Sequence, residues 1–478
     1  MSDDKGPIVE LAAIVGRENA SEGIYERISY GEAAMGTDQE VDKIPIGVVR
    51  PGSAQETSKI VQYANKHKTP IYIHGAGSAF KGSPKPKRPG SIILSTSRLN
   101  SFHMYEDDYY FEAGAGVLQI DLEERLAEYG CMLPMNIGNK YAATIGGGVA
   151  VNTIGHMNDV CVGKIIDYVL GLEVVLPTGG IIETGTKSIR RPAGLDLTKF
   201  FAGSEGLLGI ITKIRMRLVP MPKKAYVVGF FKELEDVAHA FQRIYKEKLP
   251  PPLYGELLAA DTAVAAFKSR GLGKPPGHMA LVTTIGYAQE EAERQAKEIL
   301  RVFETESAQE AHVVTSEKEQ EDLWQCRDFI TNMRQREEGE PRKIRGGAFE
   351  MGVPLSRLAD FFTYIKSKPP EYPSLNDGEI WFYGHVGSSG PHVYRALPGG
   401  TPKAKELQSV KELRKLEKEL TVKWGGIGGE VGQTASRISA WREKYGEEAY
   451  SVIVNIKKVL DPNNILNPGN LEGEGYED

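Results

Sequence analysis

Three glycine-rich stretches in the first half of the chain constrain its fold more than any other feature. They are IYIHGAGSAFKG (71–82), ATIGGGVAVNTIG (143–155) and FFAGSEGLLGIITKIRMRLVPMP (200–222), and each lies beside a β-branched strand pattern. Glycine lacks Cβ and readily adopts positive φ, so backbone N–H groups in such loops can approach a phosphate or a flat polar ring. A tight turn explains any one of these loops equally well. Three in succession indicate one long, phosphate-bearing cofactor that is held at several points.

The composition excludes several classes of protein. With 478 residues, of which 41% are hydrophobic and 26% charged, the chain is expected to form two or more domains with substantial cores. Its net charge of −6 disfavours nucleic-acid binding, which needs a basic face. No apolar run is long enough to span a bilayer, and the acidic start MSDDKGPIVE is unlike a signal peptide. We therefore expect a cytoplasmic protein.

The three cysteines indicate a reducing compartment. Cys131, Cys161 and Cys326 show no C-x-x-C spacing, and an odd number cannot all pair. Because iron–sulfur clusters usually take four thiolates, we expect no cluster in this chain. The cysteines are interpreted as buried or incidental thiols.

The pattern of strands and helices predicts an α+β protein in four segments. Residues 1–40 are expected to form a helical arm, and 41–222 alternate short strands with helices, including a hairpin that turns at 177–180. Ser53 is the expected N-cap of a helix, with Glu56 three residues later. Residues 223–420 have the rhythm of an α+β sheet and end in an amphipathic helix at 403–421. Its predicted apolar stripe is Leu407, Val410, Leu413, Leu416 and Leu420. Residues 421–478 form the C-terminal segment.

These motifs, in this order, resemble those of the vanillyl-alcohol-oxidase-type (PCMH-type) FAD-binding flavoproteins. The resemblance is strong over about 46–222 and specific again over about 381–471, where the chain ends in IKKVLDPNNILNPGNL. Within that family the chain is most similar to the branch of FAD-linked D-lactate dehydrogenases, the flavin subunit of glycolate oxidase and D-2-hydroxyglutarate dehydrogenase. The resemblance implies a two-subdomain FAD-binding domain at 41–222, an α+β substrate or cap domain at 223–420, and a C-terminal segment that returns to the flavin.

The resemblance also implies which residues contact FAD. In relatives that tether the flavin, a histidine often follows the glycines of the first loop, but Ser78 follows them here, so we expect non-covalent FAD. His156, in the second stretch, is interpreted as a loop or surface histidine. The implied FAD contacts are His74, Gly75, Ala76, Gly77, Ser78, Ala79, Thr144, Gly146, Gly147, Asn152, Gly203, Ser204, Glu205, Gly206, Gly209, Ile210, Ile211 and Asn467.

On the substrate side the chain departs from the pattern of the branch. Members of the branch carry two motifs, His-x-Gly-Asp-Gly-Asn-x-His and a later Gly-Glu-His-Gly. The two histidines of the first motif and the glutamate of the second bind a divalent metal, and the histidine of the second motif accepts the hydroxyl proton. The matching residues here are His385, His392 and Glu430, which implies a zinc, manganese or iron site, but Val431 stands in place of the base. Valine accepts no proton, so the replacement candidates are Tyr383, His385 and His392. Both histidines are also compatible with a purely structural, hydrogen-bonding role.

Arg327, in LWQCRDF, matches a Trp-x-x-Arg pattern of the branch and is a candidate for holding a substrate carboxylate through both of its oxygens. A surface salt bridge explains this arginine equally well.

The resemblance implies hydride transfer from an alcohol carbon, most plausibly of a D-lactate-like or glycolate-like 2-hydroxy acid, to FAD. The electrons then pass to a separate acceptor: an iron–sulfur subunit, an electron-transferring flavoprotein, a cytochrome or a quinone, unless oxygen serves. The loss of the histidine base keeps two alternatives open: a flavoprotein that oxidises an aryl alcohol or phenol, and an electron-transfer subunit of a larger complex. The sequence leaves homo- and hetero-oligomeric states open.

Overall fold

The computed structural model describes residues 6–31, 43–78, 84–188, 190, 194–332, 347–367, 370–376, 378–397, 400–424, 426 and 435–471. The predictions for Ala79, Glu430 and Val431 lie outside these residues. The chain folds into two compact units, Met1–Ile154 with Lys164–Met221 and Glu430–Asp478, and Gly155–Gly163 with Pro222–Gly429. Both mix helices and strands, so the predicted α+β class is confirmed.

The first unit contains two sheets. One has the strand order Ala20–Ser21, Gly47–Val49, Ile92–Ser95 and Ile71–His74, and its last three strands are parallel. The other is antiparallel, in the order Phe102–Tyr105, Tyr110–Gly114, Ile210–Arg217, Val169–Val175 and Ile181–Glu183. The last two strands form the hairpin that the sequence predicted.

The helices of the first unit cover the apolar faces of these sheets. Ser53 caps one helix as predicted: its Oγ accepts a hydrogen bond from the Glu56 amide at 3.1 Å, and the Glu56 carboxylate accepts one from the Gly52 amide at 2.7 Å. Gly446 interrupts the last helix with a non-helical φ. The helices are Pro7–Val15, Ile24–Gly31, Ala54–His67, Gln119–Glu128, Ile145–Ala150, Leu197–Phe201 and Ala435–Leu460.

The second unit is built on one antiparallel seven-stranded sheet. Its strands lie in the order Glu310–Val314, Lys223–Phe231, His278–Gly286, Tyr254–Leu258, Glu379–His385, Gly390–Ala396 and Ala348–Glu350. Its helices are Asp159–Val162, Leu234–Lys246, Ala260–Ser269, Gln289–Thr305, Glu317–Asn332, Leu358–Lys366 and Lys403–Trp424.

Helix Lys403–Trp424 corrects one detail of the predicted apolar stripe. Leu413, Leu416 and Leu420 are buried in the core of the second unit, whereas Leu407 is half exposed. The periodicity correctly predicted which face of the helix is buried, but the first turns of the helix extend beyond the hydrophobic core against which that face packs. None of the helices in the described part of the chain is both long and apolar enough to cross a membrane.

Candidate functional site

A cavity in the first unit brings together residues from all three glycine-rich stretches. Of the predicted cofactor contacts, its walls include Gly75, Ala76, Gly77, Ser78, Thr144, Gly146, Gly147, Glu205, Gly206, Gly209, Ile210, Ile211 and Asn467. The predicted contacts His74, Asn152, Gly203 and Ser204 lie close by in sequence but are not among the lining residues of this cavity. Loops that are far apart in the sequence therefore line the same cavity.

Two neighbouring glycines in the second stretch are required for different reasons. A Cβ on Gly146 would lie 2.5 Å from both the Cβ and the carbonyl oxygen of Ala115, so this glycine allows two backbone segments to pack together. A Cβ on Gly147 would meet only Oγ1 of Thr144, at 3.2 Å, and otherwise enters open space on the cavity side. The absence of a side chain at Gly147 thus preserves room for a ligand.

The side chain of Asn467 fastens the C-terminal segment to this cavity. Its Oδ1 accepts a hydrogen bond from the Ile73 amide at 2.9 Å, and its Nδ2 donates one to the Glu205 carbonyl at 2.7 Å. Asn467 itself has a left-handed φ of 44°, which asparagine tolerates better than most residues. One amide therefore links the first and third glycine-rich stretches.

A buried ion pair secures the turn that carries Asn467. Lys457 pairs with Asp461 and also donates to the Leu466 carbonyl at 2.8 Å. The Asp461 carboxylate accepts hydrogen bonds from the amides of Ile465 and Leu466 at 3.0 and 2.9 Å. The predicted return of the C-terminal segment to the cofactor-binding unit is thereby confirmed.

The imidazole of His74 lies on the face of its strand away from the cavity. It packs against the ring of Tyr30, with 4.8 Å between ring centroids, beside the small core of Val48, Tyr72 and Ile93. Burial lowers the pKa of His74 from 6.5 to about 4, so the ring is neutral at physiological pH. The side chain contributes to the packing beneath the first glycine-rich loop.

The cavity residues fit FAD. Glycines without side chains leave space beside several backbone amides, as a dinucleotide pyrophosphate requires. Glu205, Asn139 and Asn467 supply polar groups, while Ile73, Ile137 and Ile210 supply flat apolar walls. Among the described residues that line it there is no histidine, cysteine or tyrosine to tether the flavin.

In the second unit, one face of the sheet carries a buried polar cluster. Glu256, in an otherwise apolar strand, accepts a hydrogen bond from Nε of Arg327 through its Oε2 at 2.8 Å. Its Oε1 lies 2.7 Å from Nδ1 of His385. Nη2 of Arg327 lies 3.4 and 3.5 Å from the two ring nitrogens of His385. All three side chains are almost completely buried.

The charges in this cluster support one another. Burial alone would raise the pKa of Glu256, but the charge of Arg327 and the hydrogen bond with His385 hold that pKa well below its usual range. Burial would likewise lower the pKa of Arg327, but the Glu256 carboxylate raises it instead. Glu256 and Arg327 therefore form a fully ionised pair from which water is excluded.

His156 joins the same cluster from the loop Gly155–Gly163. Its ring stacks on that of His385, with 5.2 Å between centroids and 28° between planes. Asn158 anchors the loop, because its amide donates to the Leu253 carbonyl and its Nδ2 to the Tyr245 hydroxyl, both at 2.8 Å. His156 does lie in a loop, as expected, but its side chain is buried beside His385 and is not at the surface.

The remaining predicted residues complete this face. His392 stacks on Tyr383, with 4.7 Å between centroids, and meets His385 edge-on at 5.2 Å. Tyr383 donates a hydrogen bond to the Tyr394 hydroxyl at 2.9 Å. The predicted metal ligands His385 and His392 are thus adjacent, whereas Glu430 lies outside the described residues. Within the described part of the chain, no three histidine, cysteine, aspartate or glutamate side chains are arranged to hold a metal ion.

Two members of the cluster were not predicted as site residues. Glu256 was not considered, although a lone carboxylate inside the apolar strand YGELL signals a buried partner. His156 was interpreted as a loop or surface histidine and was therefore not proposed as a site residue. Only the tertiary structure brings both to His385.

Comparison with known proteins supports this interpretation of both units. The sequence profile described as "FAD linked oxidases, C-terminal domain" matches residues 221–471, and the one described as "FAD binding domain" matches 45–185. A D-lactate dehydrogenase of Archaeoglobus fulgidus is 29% identical, covering 89% of this chain and 90% of its own length. The glycolate oxidase subunit GlcD of Bacillus subtilis is 27% identical, covering 97% and 96%.

The solved structures show the same architecture. Substrate-bound p-cresol methylhydroxylase aligns with a TM-score of 0.78 and 19% identity, covering 97% of this chain and 96% of that one. At this identity the likeness shows the fold. Together with the profile match over more than half of the chain, it establishes that this protein is an FAD-dependent oxidoreductase that belongs to the family of FAD-linked oxidases.

Proposed function

We propose that the chain oxidises a 2-hydroxy acid at its hydroxyl-bearing carbon and passes the electrons to a separate acceptor. When bound, FAD supplies the hydride acceptor for this reaction. The observation that carries the proposal is the buried guanidinium of Arg327 beside the imidazole of His385. A carboxylate and a neighbouring hydroxyl are the two groups that such a pair recognises. The names of the D-lactate dehydrogenase and glycolate oxidase relatives support the same substrate class.

Arg327 is assigned to the substrate carboxylate. Its Nε is committed to Glu256, and its Nη1 lies 3.2 Å from Asp328, which orients the guanidinium plane. A guanidinium carries five N–H donors in a planar fork, so further donors remain for a second carboxylate. Since Glu256 already balances the charge of Arg327, a bound substrate anion gives the site one net negative charge, which the proton accepted by His385 offsets.

His385 is assigned the role of accepting the hydroxyl proton. Its Nδ1 contacts Glu256, an arrangement that orients an imidazole and leaves Nε2 as the acceptor. Tyr383 and His392 lie against each other on the same face and supply further polar contacts. This assignment supplies a proton acceptor in a chain that has Val431 where related enzymes of the branch have their histidine base.

A divalent metal held by His385, His392 and Glu430 stays a prediction, and it is an alternative to the proton-accepting role of His385, because a ring nitrogen that binds a metal cannot accept a proton. The adjacency of the two histidine rings supports it.

The test is anaerobic reduction of the bound flavin, followed as loss of its visible absorption. The purified protein is mixed with D- and L-2-hydroxy acids and with aryl alcohols, each with and without added Mn²⁺ or Zn²⁺. We expect one 2-hydroxy acid enantiomer to bleach the flavin. A yellow protein that no hydroxy acid bleaches, with or without metal, contradicts the proposal, and bleaching by an aryl alcohol alone assigns a different substrate class.

A further inference from the structure

The carboxamide of Gln119 is an unusual group in the wall of the first-unit cavity. Gln119 begins the helix Gln119–Glu128, and its backbone amide donates to the Ala143 carbonyl at 2.9 Å. Its side chain is fully buried, and Nε2 lies 3.5 Å from the Thr144 carbonyl. Its Oε1 has no hydrogen-bond partner among the described residues. A residue of the cavity wall therefore carries a buried acceptor that no described residue pairs with.

The hydroxyl of Thr96 is in the same situation at the same cavity. Thr96 follows the strand Ile92–Ser95 and is buried, and its Oγ1 also has no partner in the described parts of the chain. Both residues line the cavity. Burying a polar atom without a hydrogen bond costs free energy, and native proteins keep few such atoms without a reason. Both residues belong to the wall of the cavity that fits FAD, so a bound ligand is a source of the missing partners.

We propose that Gln119 and Thr96 bind FAD directly, through Oε1 of the amide and through the hydroxyl. A carbonyl oxygen only accepts hydrogen bonds, and an ionised phosphate only accepts them as well. The partner of Gln119 is therefore a donor on FAD: a ribityl or ribose hydroxyl, the N3–H of the flavin ring or the adenine amino group. The pyrophosphate is excluded as its partner. This inference depends on FAD binding alone and is independent of the substrate proposed above.

The experiment compares Gln119→Met and Thr96→Val in the full-length protein. Each replacement keeps the shape of the side chain and removes the polar group. FAD is removed by dialysis, the melting temperature of the FAD-free protein is recorded, and rebinding is measured by quenching of flavin fluorescence. We expect each variant to bind FAD about 5–30-fold more weakly, as for one lost hydrogen bond. The FAD-free melting temperature should stay equal or rise, because an unpaired buried group has gone.

Thr57→Val is the matched control. Thr57 is fully buried in the same unit, but its Oγ1 donates to the Ser53 carbonyl at 2.9 Å, and it does not line the cavity. This variant should lower the FAD-free melting temperature and leave FAD affinity unchanged. If Gln119→Met and Thr96→Val bind FAD like the wild type, only water occupies these positions and the proposal is overturned. It is also overturned if both variants merely melt early, as Thr57→Val does.

A second readout identifies the part of FAD that Gln119 contacts. A shift of the visible flavin spectrum or of the flavin midpoint potential in Gln119→Met assigns the contact to the flavin ring. An unchanged spectrum with weaker competition by ADP assigns it to the adenosine end. Either result supports a direct contact.

Discussion

The Nδ1 atom of His385 lies 2.7 Å from Oε1 of Glu256, while the other oxygen of the same carboxylate lies 2.8 Å from Nε of Arg327. One fully buried carboxylate therefore sets the orientation of both the candidate base and the candidate substrate anchor. A change at Glu256 is expected to affect both functions together, which distinguishes it from a residue that only packs.

We expect Glu256→Gln to impair both stability and catalysis. The amide keeps the size of the side chain but removes the charge that compensates buried Arg327. Breaking a buried ion pair by removing one partner costs about 3–5 kcal/mol, so the free energy of unfolding measured in urea should fall by about that amount. Stopped-flow reduction of the flavin by the substrate should slow by about 100-fold or more, because the imidazole loses its orienting anion.

Glu350→Gln is the matched control for that variant. Its carboxylate lies 3.5 Å from Nδ1 of His392, in a more exposed position and at a longer distance. The smaller burial predicts a smaller loss of stability and a smaller effect on flavin reduction. Equal effects at the two positions would contradict a special role for Glu256.

Arg327→Lys is expected to raise KM more than it lowers kcat. Lysine keeps the positive charge but loses the planar fork, and the lost charge-assisted contacts predict a KM about 10–100-fold higher for a hydroxy acid. Arg270→Lys, in a partly exposed ion pair with Asp322, should leave both constants unchanged. If Arg327→Lys slows a substrate without a carboxylate just as much, Arg327 does not anchor that group.

The free energy of unfolding should fall between pH 6.5 and pH 4 because of His74. Burial lowers the pKa of His74 from 6.5 to about 4 in the folded state, whereas the unfolded chain keeps the ordinary value. In that window the unfolded chain binds a proton that the folded protein does not, so stability decreases as pH falls. The difference between the folded and unfolded pKa values corresponds to a loss of about 3 kcal/mol in the free energy of unfolding at pH 4.

His74→Phe isolates this contribution from that of the carboxylates. Urea unfolding of the FAD-free wild type and variant should show a flatter pH dependence for the variant across the same window. Parallel curves would mean that His74 is not held neutral in the folded state.

Gly146→Ala and Gly147→Ala should act in different ways although they are adjacent. A Cβ on Gly146 collides with Ala115 at 2.5 Å, so that variant should lower the melting temperature of the FAD-free protein. A Cβ on Gly147 enters the cavity, so the FAD-free protein should keep its melting temperature while FAD affinity falls about 10-fold. Unchanged FAD binding by Gly147→Ala would show that the ligand does not approach this residue.

The flavin should be released intact when the protein is denatured. Among the described residues of the cavity wall none is a histidine, cysteine or tyrosine that could carry a covalent link. Acid precipitation should therefore leave the FAD absorption in the supernatant. A yellow pellet would contradict this prediction.

Local features were readable in the sequence because short-range physics determines them. The cap formed by Ser53 and Glu56, the hairpin at 169–183 and the amphipathic helix Lys403–Trp424 depend on side chains a few residues apart. The order of the glycine-rich stretches was sufficient to indicate a phosphate-bearing cofactor, since each glycine tolerates backbone positions that other residues do not.

The substrate-side cluster was only partly predictable. Arg327, His385 and His392 followed from motifs, but nothing near them in sequence pointed to Glu256 or His156. Similarly, the alternation of side chains along a strand does not predict which face of the strand lines a cavity. The side chain of His74 faces away from the cavity of the first unit.

The sequence by itself therefore determined the fold class and indicated a phosphate-bearing cofactor, because glycine placement, capping and strand periodicity are local and survive in a linear pattern. FAD and the family were implied by the resemblance of the ordered motifs to those of known flavoproteins. Only the tertiary structure decided that Glu256, His156, Arg327 and His385 share one buried cluster and that Asn467 links two glycine-rich stretches. The physical reason is that a buried charge needs its partners in space, and the sheet and the returning C-terminal segment supply them from distant parts of the chain.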